Sequence, residues 1–382
     1  MSKSKVQAIP GLTLGSILLA SAPSAFAGGT IKVGENKSIS IGMGIRTTFK
    51  AVEDAAPSGS AYSKDFAIEE ARVYMSGQLD KHYKFTFNTK EIGGSVAVLD
   101  AIIQFEPSKA FNVWMGRMLT PADRIEMNGP FYALNWNQYT VPLFPSDQGG
   151  AAGLRGRDDG LTVWGTLGKF QYAVGVFDGY SGAGNVDDKL LFAGRFAYNI
   201  LNMEDNPAYY TSSTYYGGLG DIFTIGVSGQ QQSDGEDIAG TAGDFTAVAV
   251  DVLIEKVLGG GNVVTVEGEY KLMDADLSAP AGQTDAQKAA TFDLFDGSSY
   301  FATAAFLIGG NVGPGKFQPY VRFNKNNPTS GAASDLTEVG TNYVISGHNL
   351  RFNLNITSGD AGITGAAGTD RKTVSFGMQQ QF

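Results

Sequence analysis

The feature that most constrains how this chain can fold is an alternation of apolar and polar side chains with a period of two. The last nine residues show it to the final position, in a row that contains Val374, Phe376, Met378, Gln380 and Phe382. The residues between them are Ser, Gly and Gln. Successive side chains of a β-strand point to opposite faces, so this pattern predicts a strand that is paired to its last residue.

The alternation recurs in sixteen segments between residues 38 and 382, most of eight to twelve residues. A tilted strand crosses a bilayer with roughly 9–11 residues, and nothing after residue 28 has the ~18 uninterrupted apolar residues of a membrane-spanning helix. Soluble sandwiches, propellers and β-helices also alternate, but a soluble sandwich is charged outside. Here the polar faces are rich in Gly, Ser, Thr, Asn, Gln and Arg. We therefore predict an all-β fold, a transmembrane antiparallel β-barrel of 16 strands.

The first 27 residues have the three zones of a secretory signal peptide. Lys3 and Lys5 precede the apolar stretch "IPGLTLGSILLA", and an Ala-Phe-Ala cleavage pattern comes directly before Gly28. The alternative is a buried N-terminal helix. We expect a signal peptide at 1–27, a barrel domain at 28–382, and a location in the outer membrane of a Gram-negative bacterium.

The connections between the segments support a barrel, because short turns should alternate with longer loops on the other side of the membrane. The long connections fall at 53–64, 118–158, 230–243, 274–293 and 357–370. The short ones are "DKHY", "LGK", "LGGGN", "GPGK" and "SGHN". The connection 202–220 breaks the rhythm, since a short turn is expected there. Either the strand count is off at this point or the turn is long.

The alternation also assigns charged side chains to the polar face, which is the inside of a barrel. Basic residues dominate the first three predicted strands, and acidic residues cluster in the tenth and eleventh. Such a separation can impose a transverse field on a channel, or the charges can simply solvate a wet wall. Arg157 and Asp158 are also candidates for an ion pair that braces the root of the 118–158 loop, which is the role that we favour for them.

Several function classes find no support in the sequence. The chain has no cysteine, and its two histidines lie in predicted short turns, apart from any strand-borne serine. We therefore predict neither an enzyme, nor a metal site, nor a bound cofactor. Loss of the two signal lysines takes the net charge from −10 to −12, which disfavours nucleic acid as a partner.

Residues 67–234 resemble the phosphate-selective porin family. The matching stretches are "EEARVYMSGQLDKHYKFTFN", "VWMGRMLTP", "GRDDGLTVWGTLGKFQYAVGVFDG" and, more weakly, "FAGRFAYNI". The resemblance implies a sixteen-stranded trimeric porin whose long third loop folds into the lumen and whose arginines and lysines line an anion path. This chain departs from the family in its acidic net charge and in lacking a dense lysine cluster, which favours a general channel over a specific phosphate site.

We therefore expect an outer-membrane porin with a water-filled channel for the passive diffusion of small hydrophilic solutes and ions. Anions such as phosphate are candidate solutes. The alternative is a barrel that acts as a scaffold, sheath or surface receptor for a partner protein. The expected partners are outer-membrane lipid and lipopolysaccharide, two further copies in a homotrimer, and the solutes themselves. The candidate residues of the channel wall and constriction are Arg46, Arg72, Lys84, Arg124, Arg155, Arg157, Asp158, Arg195, Arg322 and Arg351.

Overall fold

The computed structural model describes residues 28–92, 94–144, 156–180, 185–238, 241–275 and 295–382. The predicted signal peptide and Arg155 lie outside these residues. The strands are β1 (Gly29–Gly34), β2 (Lys37–Val52), β3 (Ser63–Gln78), β4 (Tyr83–Ile92), β5 (Ser95–Phe105), β6 (Asn112–Leu119), β7 (Arg157–Leu167), β8 (Phe170–Phe177), β9 (Leu191–Asn199), β10 (Ile222–Ile238), β11 (Thr241–Val257), β12 (Val263–Ala275), β13 (Gly297–Leu307), β14 (Lys316–Pro328), β15 (Ser334–Ser346), β16 (Leu350–Ala361) and β17 (Ala367–Gln381).

Strands β2 to β17 form a closed ring in which each strand pairs with its neighbours in the sequence. The last strand closes the ring on the first, with Gln381 opposite Gly44 and Phe376 opposite Phe49. Every one of these pairings is antiparallel, as in the β9–β10 and β16–β17 pairs. The predicted sixteen-stranded antiparallel barrel is therefore confirmed.

The two faces of the wall are distributed as the alternation predicts. On β17, Phe376 is 49% exposed on the outer surface, whereas its neighbour Ser375 is 1% exposed inside. The same contrast holds on β2 between Ile45 and Arg46. Apolar side chains outside and polar side chains inside are the arrangement of a barrel that faces lipid and encloses a polar lumen.

Strand β1 is an addition that the alternation count did not include. It forms a hairpin with the start of β2, in which Ile31 lies opposite Ile39 and Gly29 opposite Ile41. The loop predictions at 230–243 and 357–370 were wrong in extent. In both places the strands continue past the length that a bilayer needs, and β10 and β11 are each 17 residues long.

In the described part of the chain, one α-helix, α1 (Arg124–Tyr132), interrupts the all-β architecture. It is kinked at Gly129, and Asp123 caps its N-terminus by accepting a hydrogen bond from the backbone N–H of Glu126. Among the described residues, no helix has the length and apolar character needed to cross a membrane.

Candidate channel path through the lumen

The third loop, L3, runs from residue 120 to residue 156 and enters the barrel. Its root is closed by a hydrogen bond from the Thr120 N–H to the Gly156 carbonyl at 3.0 Å. Asp123, Arg124 and Ile125 are 0% exposed, although they belong to a connection between two strands. The inward-folded loop is confirmed for residues 120–144, and the part from 145 to 155 lies outside the described residues.

L3 packs against the inner faces of β2 and β17 because these strands carry glycine where the loop carries aromatic rings. A Cβ atom on Gly377 would lie 2.3 Å from the Trp136 ring, and one on Gly44 would lie 2.8 Å from the Phe131 ring. The Trp136 indole also donates to the Thr48 hydroxyl at 3.0 Å. The small residues therefore make a seat for the loop that larger side chains would fill.

A second segment enters the lumen from the opposite end of the barrel. The connection between β9 and β10, residues 200–221, is called the inner connection below. Ser213 and Thr214 in its middle are 0% exposed, and Glu204 is 3% exposed. It touches L3 directly, since the Ser213 N–H donates to the Tyr132 carbonyl at 3.1 Å. Of the two alternatives for this connection, the long turn is correct and the count of sixteen barrel strands holds. The connection is long because it fills part of the lumen.

Arg124 joins the two inserted segments to the barrel wall. Its guanidinium binds Glu204 of the inner connection through two contacts of 2.9 and 2.6 Å and Asp251 of β11 at 3.1 Å. Arg195 of β9 also binds Asp251, at 2.5 and 2.9 Å. Burial alone would raise the pKa of Glu204, but the positive charge of Arg124 outweighs this effect and holds that pKa below its usual value.

Three further arginines from the wall hold L3 in place. Arg46 donates to the Pro130 carbonyl at 2.7 Å, and its guanidinium lies 4.0 Å from the centroid of the Trp136 ring. Arg322 donates to the Asn135 side chain at 2.9 Å, and Arg351 donates to the Leu134 carbonyl at 3.2 Å. All three are inside the barrel, at 2%, 1% and 0% exposure, but loop atoms cover them.

These contacts define two unlike sides of the lumen. The packed side is formed by the inner faces of β9–β17 and β2, together with L3 and the inner connection. The open side is formed by the inner faces of β3–β8. Arg46, Arg124, Arg195, Arg322 and Arg351 belong to the packed side, and Arg72, Lys84 and Arg157 belong to the open side.

The open side carries ion pairs that retain contact with empty space. Glu70 binds Arg72 at 2.8 Å and Lys90 at 2.9 Å, and Arg157 binds Asp100 at 3.3 Å. The ion pair between Arg157 and Asp158 that we favoured as a brace for the root of L3 is wrong, because Arg157 pairs with Asp100. Asp158 instead accepts hydrogen bonds from the N–H groups of Asp159 and Gly179, each at 2.7 Å.

Four cavities follow one another between the open side and the two inserted segments. The first, of about 160 Å³, is lined by Glu70, Arg72, Lys90 and Arg157. It shares Arg72 and Arg157 with a second of about 70 Å³, which shares Tyr210 with a third of about 20 Å³. The third shares Glu204 with a fourth of about 720 Å³ at the other end. The series, called the route below, lies off-centre and extends from the loop end of the barrel to the turn end.

Lys84 lies near the wide end of this route. It binds Glu106, a lining residue of the 720 Å³ cavity, at 2.5 Å, and its side chain is 37% exposed. The indole N–H of Trp114 donates to the same carboxylate at 2.9 Å. The turn end of the route therefore combines charged and aromatic groups.

The structure also brings a histidine to a serine, which the sequence did not lead us to expect. The His348 Nε2 atom lies 3.0 Å from the Ser212 hydroxyl and 2.9 Å from the Thr214 carbonyl oxygen. A carbonyl only accepts, so Nε2 carries the hydrogen and is not free to take the serine proton. The contact therefore holds the inner connection to the β15–β16 turn and lacks the base that a serine nucleophile needs.

No protein-family model and no curated protein sequence matches the chain. Outer-membrane expressed OmpT of Vibrio cholerae is similar in structure, with a TM-score of 0.55 and 13% identity over 93% of this chain and 100% of that chain. The trimer form of in-vitro folded OmpT has a TM-score of 0.53 and 12% identity over 91% of this chain and 100% of that chain. An anion-selective porin from Comamonas acidovorans has a TM-score of 0.57 and 14% identity over 91% of this chain and 100% of that chain. The chain has the fold of outer-membrane porins. At these identities the likeness extends to the fold alone.

Within this porin fold, sequence reasoning missed the residues of the inner connection. Glu204, Tyr209, Tyr210 and Ser212 lie in a segment without alternation, so no strand pattern could place them. Two signals were available: the connection is about twenty residues long where a hairpin needs two to five, and it is rich in Tyr, Ser and Thr. Both are unusual for a solvated turn.

Proposed function

We propose that the chain is an outer-membrane porin in which small hydrophilic solutes and ions diffuse along the open side of the lumen. The observation that carries this proposal is the series of four cavities inside a closed barrel with an apolar outer surface. Because the cavities are small, we expect a low single-channel conductance. The predicted signal peptide and the fold support a location in the outer membrane.

The first two cavities of the route, of about 160 and 70 Å³, are called the upper cavities. The charges beside them favour anions weakly. Arg72, Lys90 and Arg157 contribute three positive charges, and Glu70 and Asp100 contribute two negative ones, so the balance is 3 − 2 = +1. Glu126 of L3 also faces these cavities, but burial and the neighbouring Asp123 raise its pKa well above the usual value. It therefore adds little negative charge. This balance fits a general channel with a mild anion preference better than a dedicated phosphate site.

We also propose a homotrimer, on the grounds of the shared fold and of the trimer form of OmpT. The phosphate specificity that the family resemblance implies stays a prediction. The channel-lining roles of the ten candidate residues also stay predictions, and the contacts of L3 favour Arg72, Lys84 and Arg157 for that role over Arg46, Arg322 and Arg351.

Planar-bilayer recording tests the proposal. Purified protein without residues 1–27 should give stepwise conductance, and the reversal potential in a salt gradient should indicate a preference for anions. A protein that inserts into the bilayer and never gives conductance steps would overturn the proposal.

The narrow part of the route favours one other function, a barrel that serves as a scaffold or receptor for a partner protein. A cavity of about 20 Å³ is little more than the space of one water molecule. This alternative predicts no conductance and a partner that copurifies with the barrel from the membrane. Conductance by the isolated protein would exclude a purely structural role.

A further inference from the structure

The inner connection is built as an excursion from a hairpin that is already closed at its base. The Ile200 N–H donates to the Phe223 carbonyl at 2.7 Å, and the Asn202 N–H donates to the Asp221 carbonyl at 3.0 Å. The Asn202 side chain also donates to the Leu219 carbonyl at 2.9 Å. Residues 203–218 are therefore not needed to connect β9 with β10. They enter the lumen and return to the point where they left it.

The excursion is fixed on both sides by buried hydrogen bonds. The Ser213 hydroxyl lies between the Asn128 amide of L3, at 2.7 Å, and the Glu267 carboxylate of β12, at 2.9 Å. The Thr214 hydroxyl donates to Glu255 of β11 at 3.0 Å. Buried contacts of this kind are costly to break without new partners. The segment therefore has one defined position across the lumen rather than a set of loose ones.

Tyr209 and Tyr210 lie where the excursion meets the open side. The Tyr209 hydroxyl donates to the Leu119 carbonyl at 2.7 Å, and its ring lies 5.6 Å from the ring of Trp114. Tyr210 borders both the 70 Å³ cavity and the 20 Å³ cavity, and its ring lies 6.1 Å from Trp114. The inner connection thus supplies five of the ten residues that line the smallest cavity of the route.

L3 contributes less to this smallest cavity than the inner connection does. Of the described residues that line it, only Arg124 comes from L3, whereas Glu204, Asn206, Tyr209, Tyr210 and Thr211 come from the inner connection. A space of about 20 Å³ admits a water molecule, and each cavity next to it is larger. The narrowest point of the route is therefore bordered mainly by the inner connection and the wall, and only by Arg124 among the described residues of L3.

We propose that the inner connection, with Tyr209 and Tyr210, forms the neck of the channel and sets the largest solute that can pass. The proposal rests on the proposed porin function and specifies which residues limit its path. L3 shapes the packed side and the upper cavities, and the inner connection restricts the path below them.

Deletion of residues 203–218 tests the neck directly. Asn202 is joined to residue 219, and Leu219→Asn gives the new turn the sequence Asn-Gly, which favours a two-residue hairpin. We expect a several-fold rise in single-channel conductance and a larger size limit in liposome-swelling assays with sugars of increasing mass. If the deletion variant folds and inserts but its conductance and size limit are unchanged, the proposal that the inner connection forms the neck is wrong.

A point variant keeps the test independent of the fate of the deletion. The chain has no cysteine, so Tyr210→Cys introduces a single thiol beside the neck. A charged methanethiosulfonate reagent should then reduce the conductance to a small fraction of its starting value. Lys81→Cys, in the exposed β3–β4 turn, is the control and should react without a change in conductance. A Tyr210→Cys channel that is labelled and still conducts fully would overturn the proposal.

The outcomes separate this inference from the porin function. If the unaltered protein and the deletion variant both insert and never conduct, the porin function fails. If the unaltered protein conducts and neither the deletion nor labelling at position 210 changes the conductance, the porin function stands and the neck is wrong.

Discussion

The packed side and the open side of the lumen both carry charged side chains on the barrel wall, but they differ in whether the inserted segments cover those side chains. On the packed side, Arg322 and Arg351 are 1% and 0% exposed, because L3 covers them with carbonyl oxygens, the Asn135 amide and the Trp136 ring. On the open side, the side chains of Lys84 and Lys90 remain 37% and 22% exposed. The comparison teaches that a charge on the inner face of a barrel lines a path only if the inserted segments leave it uncovered.

The largest effect is expected where the packed side depends on one buried charge. Arg124→Ala leaves Glu204 without its cation, and breaking a buried ion pair in this way typically costs about 3–5 kcal/mol. The measurement is the free energy of unfolding of the barrel in lipid or detergent, from urea titration.

The control for this change is Lys256→Ala. Lys256 pairs with Asp221, the two side chains are 57% and 33% exposed, and exposed ion pairs contribute about 0–1 kcal/mol. Equal losses for the two variants would mean that the buried ionic centre does not stabilise the packed side.

A second change tests whether the packed side is filled. Gly377→Ala places a Cβ atom where the Trp136 ring lies, and overpacking of this kind typically costs about 1–3 kcal/mol. Gly194→Ala is the control, because its Cβ would make its nearest contact at 3.6 Å. Comparable unfolding free energies for the two variants would show that the seat of L3 has spare room.

The third prediction concerns pH. Burial, with a smaller contribution from the positive charge of Arg351, lowers the pKa of His348 to about 3. The folded protein therefore keeps this ring neutral, whereas the unfolded chain binds a proton near pH 6.5. Stability should be unaffected by this group above pH ~6.5 and should fall by up to about 1.4 kcal/mol per pH unit between pH ~6.5 and ~3.

His348→Gln should flatten this part of the stability profile. The measurement is the unfolding midpoint of the variant and of the unaltered protein across that pH range. An unchanged profile in His348→Gln would show that the contact with Ser212 and Thr214 does not depend on a neutral ring.

The smallest expected effect is on ion selectivity. Arg157→Gln removes a cation beside the upper cavities and should shift the reversal potential towards cations. Arg322→Gln removes a cation that L3 covers, and it should leave the reversal potential unchanged while lowering stability. A shift of equal size in both variants would remove the distinction between the two sides.

The sequence was sufficient for the wall of the barrel, because the wall obeys a period of two. Ile45 and Arg46, or Ser375 and Phe376, could be assigned to opposite faces from the pattern alone. Strand β1 was overlooked because it is short, although Ile31 and Val33 alternate with Thr30 and Lys32.

The contents of the lumen could not be derived in the same way. Whether Arg72 or Arg322 borders open space depends on where L3 and the inner connection pack, and neither segment has a periodic pattern. The prediction that L3 folds into the lumen depended on the resemblance to the phosphate-selective porin family. The inner connection was visible only as a turn of the wrong length, since its position depends on contacts with residues as distant in sequence as Glu267 and His348.

The most direct test of the account compares the two sides with single thiols in this cysteine-free chain. Lys90→Cys lies beside the 160 Å³ cavity, and Ser375→Cys lies on the inner face of β17, where Ser375 is 1% exposed. A charged methanethiosulfonate reagent should reduce the single-channel conductance of the Lys90→Cys protein and leave that of the Ser375→Cys protein unchanged. Block at both positions, or only at Ser375→Cys, would contradict a path confined to the open side.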